Sequence, residues 1–197
     1  MNDTETDTDT NTDKTNKQMP EVAITGMGIV SPLGNTVADH WSGIEQGRCA
    51  ILPVDLFDTA GHRTHLAGQA RNFEPYVPAE AARIRHLGRA DRFALAAAQQ
   101  ALDDAGRPRD RYAADRIGVV VGAGVGGMLR AERYAAQFLG GGRPHPRDLV
   151  PYAPNYSADV LAEFFDLRGE RASFATACSS SAMAIGWAFD LLRTGRI

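Results

Sequence analysis

From residue 20 onward this chain has no lysine; both of its lysines, Lys14 and Lys17, lie before that point. Beyond the first 19 residues the charge is carried by 19 arginines against 19 carboxylates. That balance supplies no basic field for nucleic acid. Cysteine is nearly absent as well. Cys49 and Cys178 are too few for a disulfide framework, so a reduced, cytoplasmic setting is the default expectation. No apolar run approaches the roughly 20 residues needed to span a bilayer. The polar, acidic start is unlike a signal peptide. What is present is ordinary for a globular protein: 197 residues, 44% hydrophobic and 23% charged, enough for one domain with a real core.

The opening 19 residues, rich in Asp and Thr, hold too little apolar surface to offset their ordering entropy, so a disordered acidic tail is expected there. The domain is expected over 20–197. Val22 to Thr25 reads as a short buried strand. Residues 35–47 read as a helix, capped by Asn35 or Thr36, with Trp41 and Ile44 on one face and Gly47 as its stop. Residues 48–79 lack a clear period, apart from a short strand near "HLAGQA". Gly88 separates a short helix from a longer one whose apolar face runs through Phe93, Leu95 and Leu102. Ile117 to Val121 reads as a strand entering a glycine loop, followed by the helix "MLRAERYAAQFL" and a loop. "YSADVLAEFFDLRG" is then a helix, "RASFATA" a strand, and a last helix starts at Cys178. Strands alternating with helices predict an α/β fold, a sheet with helices on its faces. The same alternation calls for a further strand after this helix, where the chain halts at Ile197.

Two stretches carry chemistry. "GAGVGG", Gly122 to Gly127, satisfies G-x-G-x-x-G between a strand and a helix, the context of a dinucleotide fingerprint. About 20 residues on, where an acidic residue should close a second strand, residues 140–148 read "GGGRPHPRD", with no strand before Asp148. A tight turn that makes room for neighbouring chain or ligand is the competing reading. The second stretch is "FATACSSSAMAIGWAF". Cys178 sits where an extended segment meets a helix. There the positive end of the helix dipole and unpaired N–H groups stabilise a thiolate, the reactive species. A sharp strand-to-helix turn also exposes the side chain and aims its own N–H at an oxyanion. The opposing reading, an inert buried thiol, stays open on position alone. The small residues Ala177, Ser179, Ser180, Ala182, Ala184, Gly186 and Ala188 suit a closely packed helix. His62 and His65 lack a partner pattern for a metal site. His40 and His86 read as helix-surface residues, His145 as a loop residue and Cys49 as a core or loop thiol.

Taken together, these segments resemble the β-ketoacyl-acyl-carrier-protein synthases, the condensing enzymes of fatty acid and polyketide synthesis. "TACSSSA" is similar to their active-site signature. "VAITGMGIVSPLGNTVADHWSGIEQGRCAI" is similar to their N-terminal segment. "DRFALAAAQQALDDAG" and "DRIGVVVGAGVGG" follow in family order. The resemblance covers residues 20–197. It implies a thiolase-like fold, here an incomplete N-terminal half with a mixed sheet and helices on both faces. It implies an acyltransferase in which Cys178 is the nucleophile and its N–H an oxyanion donor. Val125, Gly126 and Gly127 would line the acyl pocket, with Val125 gating chain length. No cofactor and no metal are implied. The implied partners are an acyl carrier protein bearing phosphopantetheine-linked acyl and malonyl groups, and a second ketosynthase subunit in a homodimer or heterodimer. Nucleic acid and membrane are not.

The chain also departs from that family. Its condensing enzymes use two histidines, and usually a lysine, from the second half of the fold. The histidines here lie at other positions, so these residues alone are not expected to complete condensation. Two alternatives remain: a non-catalytic partner subunit of a heterodimeric synthase, and a dinucleotide-binding module built on "GAGVGG".

Overall fold

The computed structural model describes residues 21–197 except Arg85 and Val125. The expected acidic tail lies outside the described residues.

The centre of the fold is a parallel strand pair, β3 (Val119–Gly122) and β4 (Arg171–Phe174), in register from Val119 opposite Arg171 to Gly122 opposite Phe174. Side chains alternate across a strand, so the pair has two faces. Val119 and Val121 face helices α2 (Arg89–Asp104) and α4 (Tyr156–Phe164), where Leu95, Ala158, Leu161, Ala162 and Leu167 complete the core. Gly122 and Phe174 lie on the other face, beneath helix α5 (Ser180–Arg193), whose Trp187 ring meets Phe174 at a centroid distance of 6.4 Å. Helices therefore cover both faces, as the alternating pattern predicts. A parallel pair needs a long crossover. Here it runs through α3 (Met128–Leu139), the 3-10 segment Pro146–Tyr152 and α4.

The other two strands form a separate antiparallel ribbon. β1 (Ile51–Pro53) pairs with β2 (Leu66–Gly68). The strand at 66–68 matches the reading of "HLAGQA"; its partner lies in a stretch that reads as irregular. α1 (Val37–Glu45) begins where expected, with Thr36 Oγ1 accepting from the Asp39 N–H at 3.1 Å. Trp41 and Ile44 do not bury their shared face, being 59% and 49% exposed.

Val22 to Thr25 is not a strand. Ile24 is 83% exposed, and no described strand offers this segment a ladder. The chain instead runs across α2. Met27 N–H donates to Asp104 Oδ2 at 2.9 Å, and Gln100 Nε2 donates to the carbonyls of Ile29 (3.3 Å) and Asn35 (2.9 Å). Gly26 and Gly28 permit this, since a Cβ at either would collide with α2 backbone at Ala101 or Ala97. Side-chain amide and carboxylate thus tie down the chain just after this segment.

Candidate active site

The ends of β3 and β4 meet the start of α5, and this junction holds Cys178. Ala123 N–H donates to Phe174 O at 2.8 Å, extending the parallel ladder by one step. The chain then turns sharply. Ala177 adopts φ +54°, a left-handed conformation that costs a residue with a Cβ about 1–2 kcal/mol. Cys178 follows it within the 3-10 turn Ala177–Ser179, and α5 proper starts at Ser180. The helix therefore begins two residues later than expected, and the strain sits on Ala177 rather than on the cysteine. The Cys178 side chain is exposed within the described residues. Among the described residues no acceptor takes the Cys178 N–H, as the first amides of a helical turn require outside partners.

Ser180 braces the turn. It is buried, accepts from the Thr176 N–H at 2.9 Å and donates to Ala177 O at 2.9 Å. Ser179 Oγ adds a bond to Thr176 O at 3.1 Å. Sequence reasoning treated these serines as small packing residues and missed the brace. The signal that was available is a run of three hydroxyls in the first helical turn, where serine side chains compete for backbone groups.

Gly122 sets the distance from the sheet to this turn. A Cβ on it would lie 2.6 Å from Ser181 N and 2.7 Å from the carbonyl carbon of Ser180. Only a residue without a side chain lets β3 approach the start of α5 so closely. Of the small residues along α5, Ser180 and Ala184 are buried, while Gly186 faces open space. Farther along the loop, a Cβ on Gly127 would collide with the carbonyl group of Pro151. Gly126 lies beside Ala90 of α2, with 3.5 Å between their Cβ positions. The glycines at both ends of "GAGVGG" are thus used for contact with the chain's own backbone. Val125 lies outside the described residues.

All five histidines are engaged away from Cys178. His40 Nδ1 is 2.7 Å from Ser31 Oγ, and His65 Nδ1 is 3.0 Å from Thr59 Oγ1. The His62 ring packs on Phe57. His86 Nδ1 stands 3.4 Å from Arg130 Nη1 and 3.8 Å from Asp148. His145 Nδ1 accepts from the Arg147 N–H at 3.1 Å. Among the described residues no group of three His, Cys, Asp or Glu side chains is gathered as a metal site requires, and no helix is long and apolar enough to cross a membrane. Cys49 is exposed too, in the loop between α1 and β1, so exposure alone does not set Cys178 apart. Its backbone does.

This arrangement has counterparts. A 3-oxoacyl-[acyl-carrier-protein] synthase 2 of Coxiella burnetii is 35% identical over 173 residues, covering 87% of this chain and 42% of the relative. The Synechocystis protein of the same name is 31% identical over 182 residues, covering 91% and 44%. Two solved structures superpose with a TM-score of 0.75 at 28% identity. They are the ishigamide ketosynthase/chain length factor and a beta-ketoacyl synthase from Burkholderia phymatum. Each aligns with 88% of this chain, which covers 44% and 43% of theirs. The chain thus spans less than half the length of the relatives it matches, and it has the architecture of the N-terminal half of their thiolase-like fold. The profile described as "Beta-ketoacyl synthase, N-terminal domain" matches residues 19–197, and with it the chain belongs to the beta-ketoacyl synthase family.

Proposed function

We propose that this domain accepts an acyl group from a carrier thioester onto Cys178, as the first half-reaction of a 3-oxoacyl-carrier-protein synthase. The observation that carries the reading is the turn itself. An exposed thiol stands at the start of α5, behind a left-handed Ala177, with its own N–H free of protein acceptors among the described residues. The thiolate sulfur attacks the thioester carbonyl carbon. The new C–S bond forms, and negative charge collects on the carbonyl oxygen, where the Cys178 N–H donates. The carrier's C–S bond then breaks, and its phosphopantetheine thiolate leaves and takes up a proton. In the whole protein, malonyl-carrier protein loses CO2. The resulting carbanion attacks the acyl-cysteine carbonyl and releases the Cys178 thiolate.

Gly126 and Gly127, with Val125, line the acyl chain's path in this reading. The histidines that stabilise the enolate come from the remaining length of the protein. The apolar side chains exposed on α5, among them Met183 and Ile185, are where that remainder packs. Partners are an acyl carrier protein and a second synthase subunit, alike or different. A non-catalytic partner role is disfavoured by the exposed Cys178 and the strained turn that presents it.

The test is acylation with phosphopantetheine thioesters, followed by intact mass and peptide mapping, beside alkylation with iodoacetamide. Acyl transfer to Cys178 and not to Cys49, abolished in Cys178→Ala, is the expected result. Equal, slow modification of both thiols would overturn it.

A further inference from the structure

Asp91 is the one carboxylate buried within the described core, only 3% exposed, and the acyl-transfer chemistry does not use it. Its two oxygens have different partners. Oδ2 accepts from the Gly88 N–H at 2.8 Å, and Oδ1 accepts from the Ser157 hydroxyl at 2.6 Å. The first bond closes the start of α2; the second ties it to the start of α4. These two elements flank the glycine loop. On the α2 side, Ala90 lies against Gly126. On the α4 side, Pro151, in the 3-10 segment leading into that helix, lies against Gly127. Asp91 is thus a buried polar tie between the two walls that hold Gly126 and Gly127, added to their apolar packing through Leu95 and Ala158.

We propose that Asp91 is a positioning residue for acyl-chain selection: its bonds to Gly88 and Ser157 fix the walls flanking the glycine loop and so the space offered to the acyl chain. The inference rests on the reading of this loop as the acyl pocket. A pocket discriminates chain lengths only when its walls are held by a second layer of side chains. An aspartate suits the task because one carboxylate accepts two bonds in different directions. Asparagine keeps both links, since its oxygen accepts from Gly88 while its amide donates to the Ser157 hydroxyl. Alanine keeps neither.

The experiment measures Cys178 acylation in the full chain with butanoyl, octanoyl, dodecanoyl and hexadecanoyl phosphopantetheine thioesters. Asp91→Ala is expected to narrow the spread of rates between best and worst chain by about tenfold, the low end of what one methylene is worth in an apolar pocket. Asp91→Asn is expected to restore the wild-type profile. Ser157→Ala, which removes one arm only, is expected to narrow it by a smaller factor, and it carries the test if Asp91→Ala fails to fold. A profile unchanged in Ser157→Ala and Asp91→Ala overturns the proposal. So does a fall that is equal for every chain length, the mark of a purely structural residue. Absence of acylation in the wild-type protein with every donor is a different result: it overturns the acyl-transfer reading and this inference with it.

Discussion

Gly122→Ala should separate the geometry of the turn from the presence of its cysteine. The added methyl would lie 2.6 Å from Ser181 N, against 3.4 Å for ordinary van der Waals contact. The start of α5 must therefore retreat by about 0.8 Å. The obstacle is helix backbone, so no side-chain rotation relieves it. Overpacking of this kind costs about 1–3 kcal/mol, which in a domain of this size lowers Tm by roughly 2–12 °C. Ser180 moves with the helix and carries the Thr176–Ala177 turn along. A displacement near 1 Å at a reacting group costs up to about a hundredfold in rate. Acyl transfer depends on the alignment of the sulfur, the carbonyl and the Cys178 N–H. Alkylation by iodoacetamide needs an accessible thiolate but no alignment with a carbonyl or an N–H. Acylation should therefore fall by about a hundredfold, while alkylation of Cys178, which does not need that alignment, should fall much less. Gly186→Ala is the control on the same helix, since nothing lies within 4 Å of its new methyl. It should raise stability by about 0.5–1 kcal/mol and leave acylation as it is. Wild-type acylation and Tm in Gly122→Ala would refute the claim that close approach of β3 positions the cysteine.

Ser180→Ala removes both bonds of the buried brace, and urea unfolding should register a loss of about 1–3 kcal/mol together with slower acylation. Ala177→Gly relieves the left-handed backbone. After the entropy of the unfolded glycine is set against it, a net gain of about 0.5–1 kcal/mol is expected, with acylation reduced because the turn is less constrained; a loss of stability would mean that Ala177 is not strained. Burial raises the Tyr156 phenol above its ordinary 10.0, and the Asp91 charge adds to this while Arg130 opposes it. The folded chain then holds a proton that the unfolded chain releases. Its stabilising effect is complete below pH 10 and is lost as pH rises from 10 through the folded value. Unfolding at a series of alkaline pH values should show that fall, and Tyr156→Phe should flatten it.

Local chemistry was legible in the sequence; pairing across distance was not. α3 fills the interval between Gly127 and Gly140, and β4 lies within the "RASFATA" segment, because apolar periodicity and glycine punctuation act over a few residues. The same reasoning failed at Val22 to Thr25, since a strand exists only where another offers its hydrogen bonds, and no described strand lies beside this segment. It failed in the opposite direction at Ile51–Pro53, whose partner β2 supplies the ladder. At the candidate site the cysteine and its junction could be read from residue types. The seat of the strain could not, because residue types at the junction do not say that Ala177 is the one that turns left-handed. The role of Asp91 was hidden for a related reason: its second partner, Ser157, arrives from another helix.

The parallel register of β3 and β4 has a consequence for the order in which this domain matures. The turn around Cys178 is shaped on one side by its own neighbours and on the other by Gly122, which lies across the whole crossover through α3 and α4. Contacts of such long sequence separation form late, after loop closure has been overcome. A chain still emerging, or caught partly folded, therefore carries the thiol without the turn that presents it. In that interval Cys178 is no better a trap for passing thioesters than Cys49. On the acyl-transfer reading, competence at Cys178 requires the closing of this strand pair as well as the local turn.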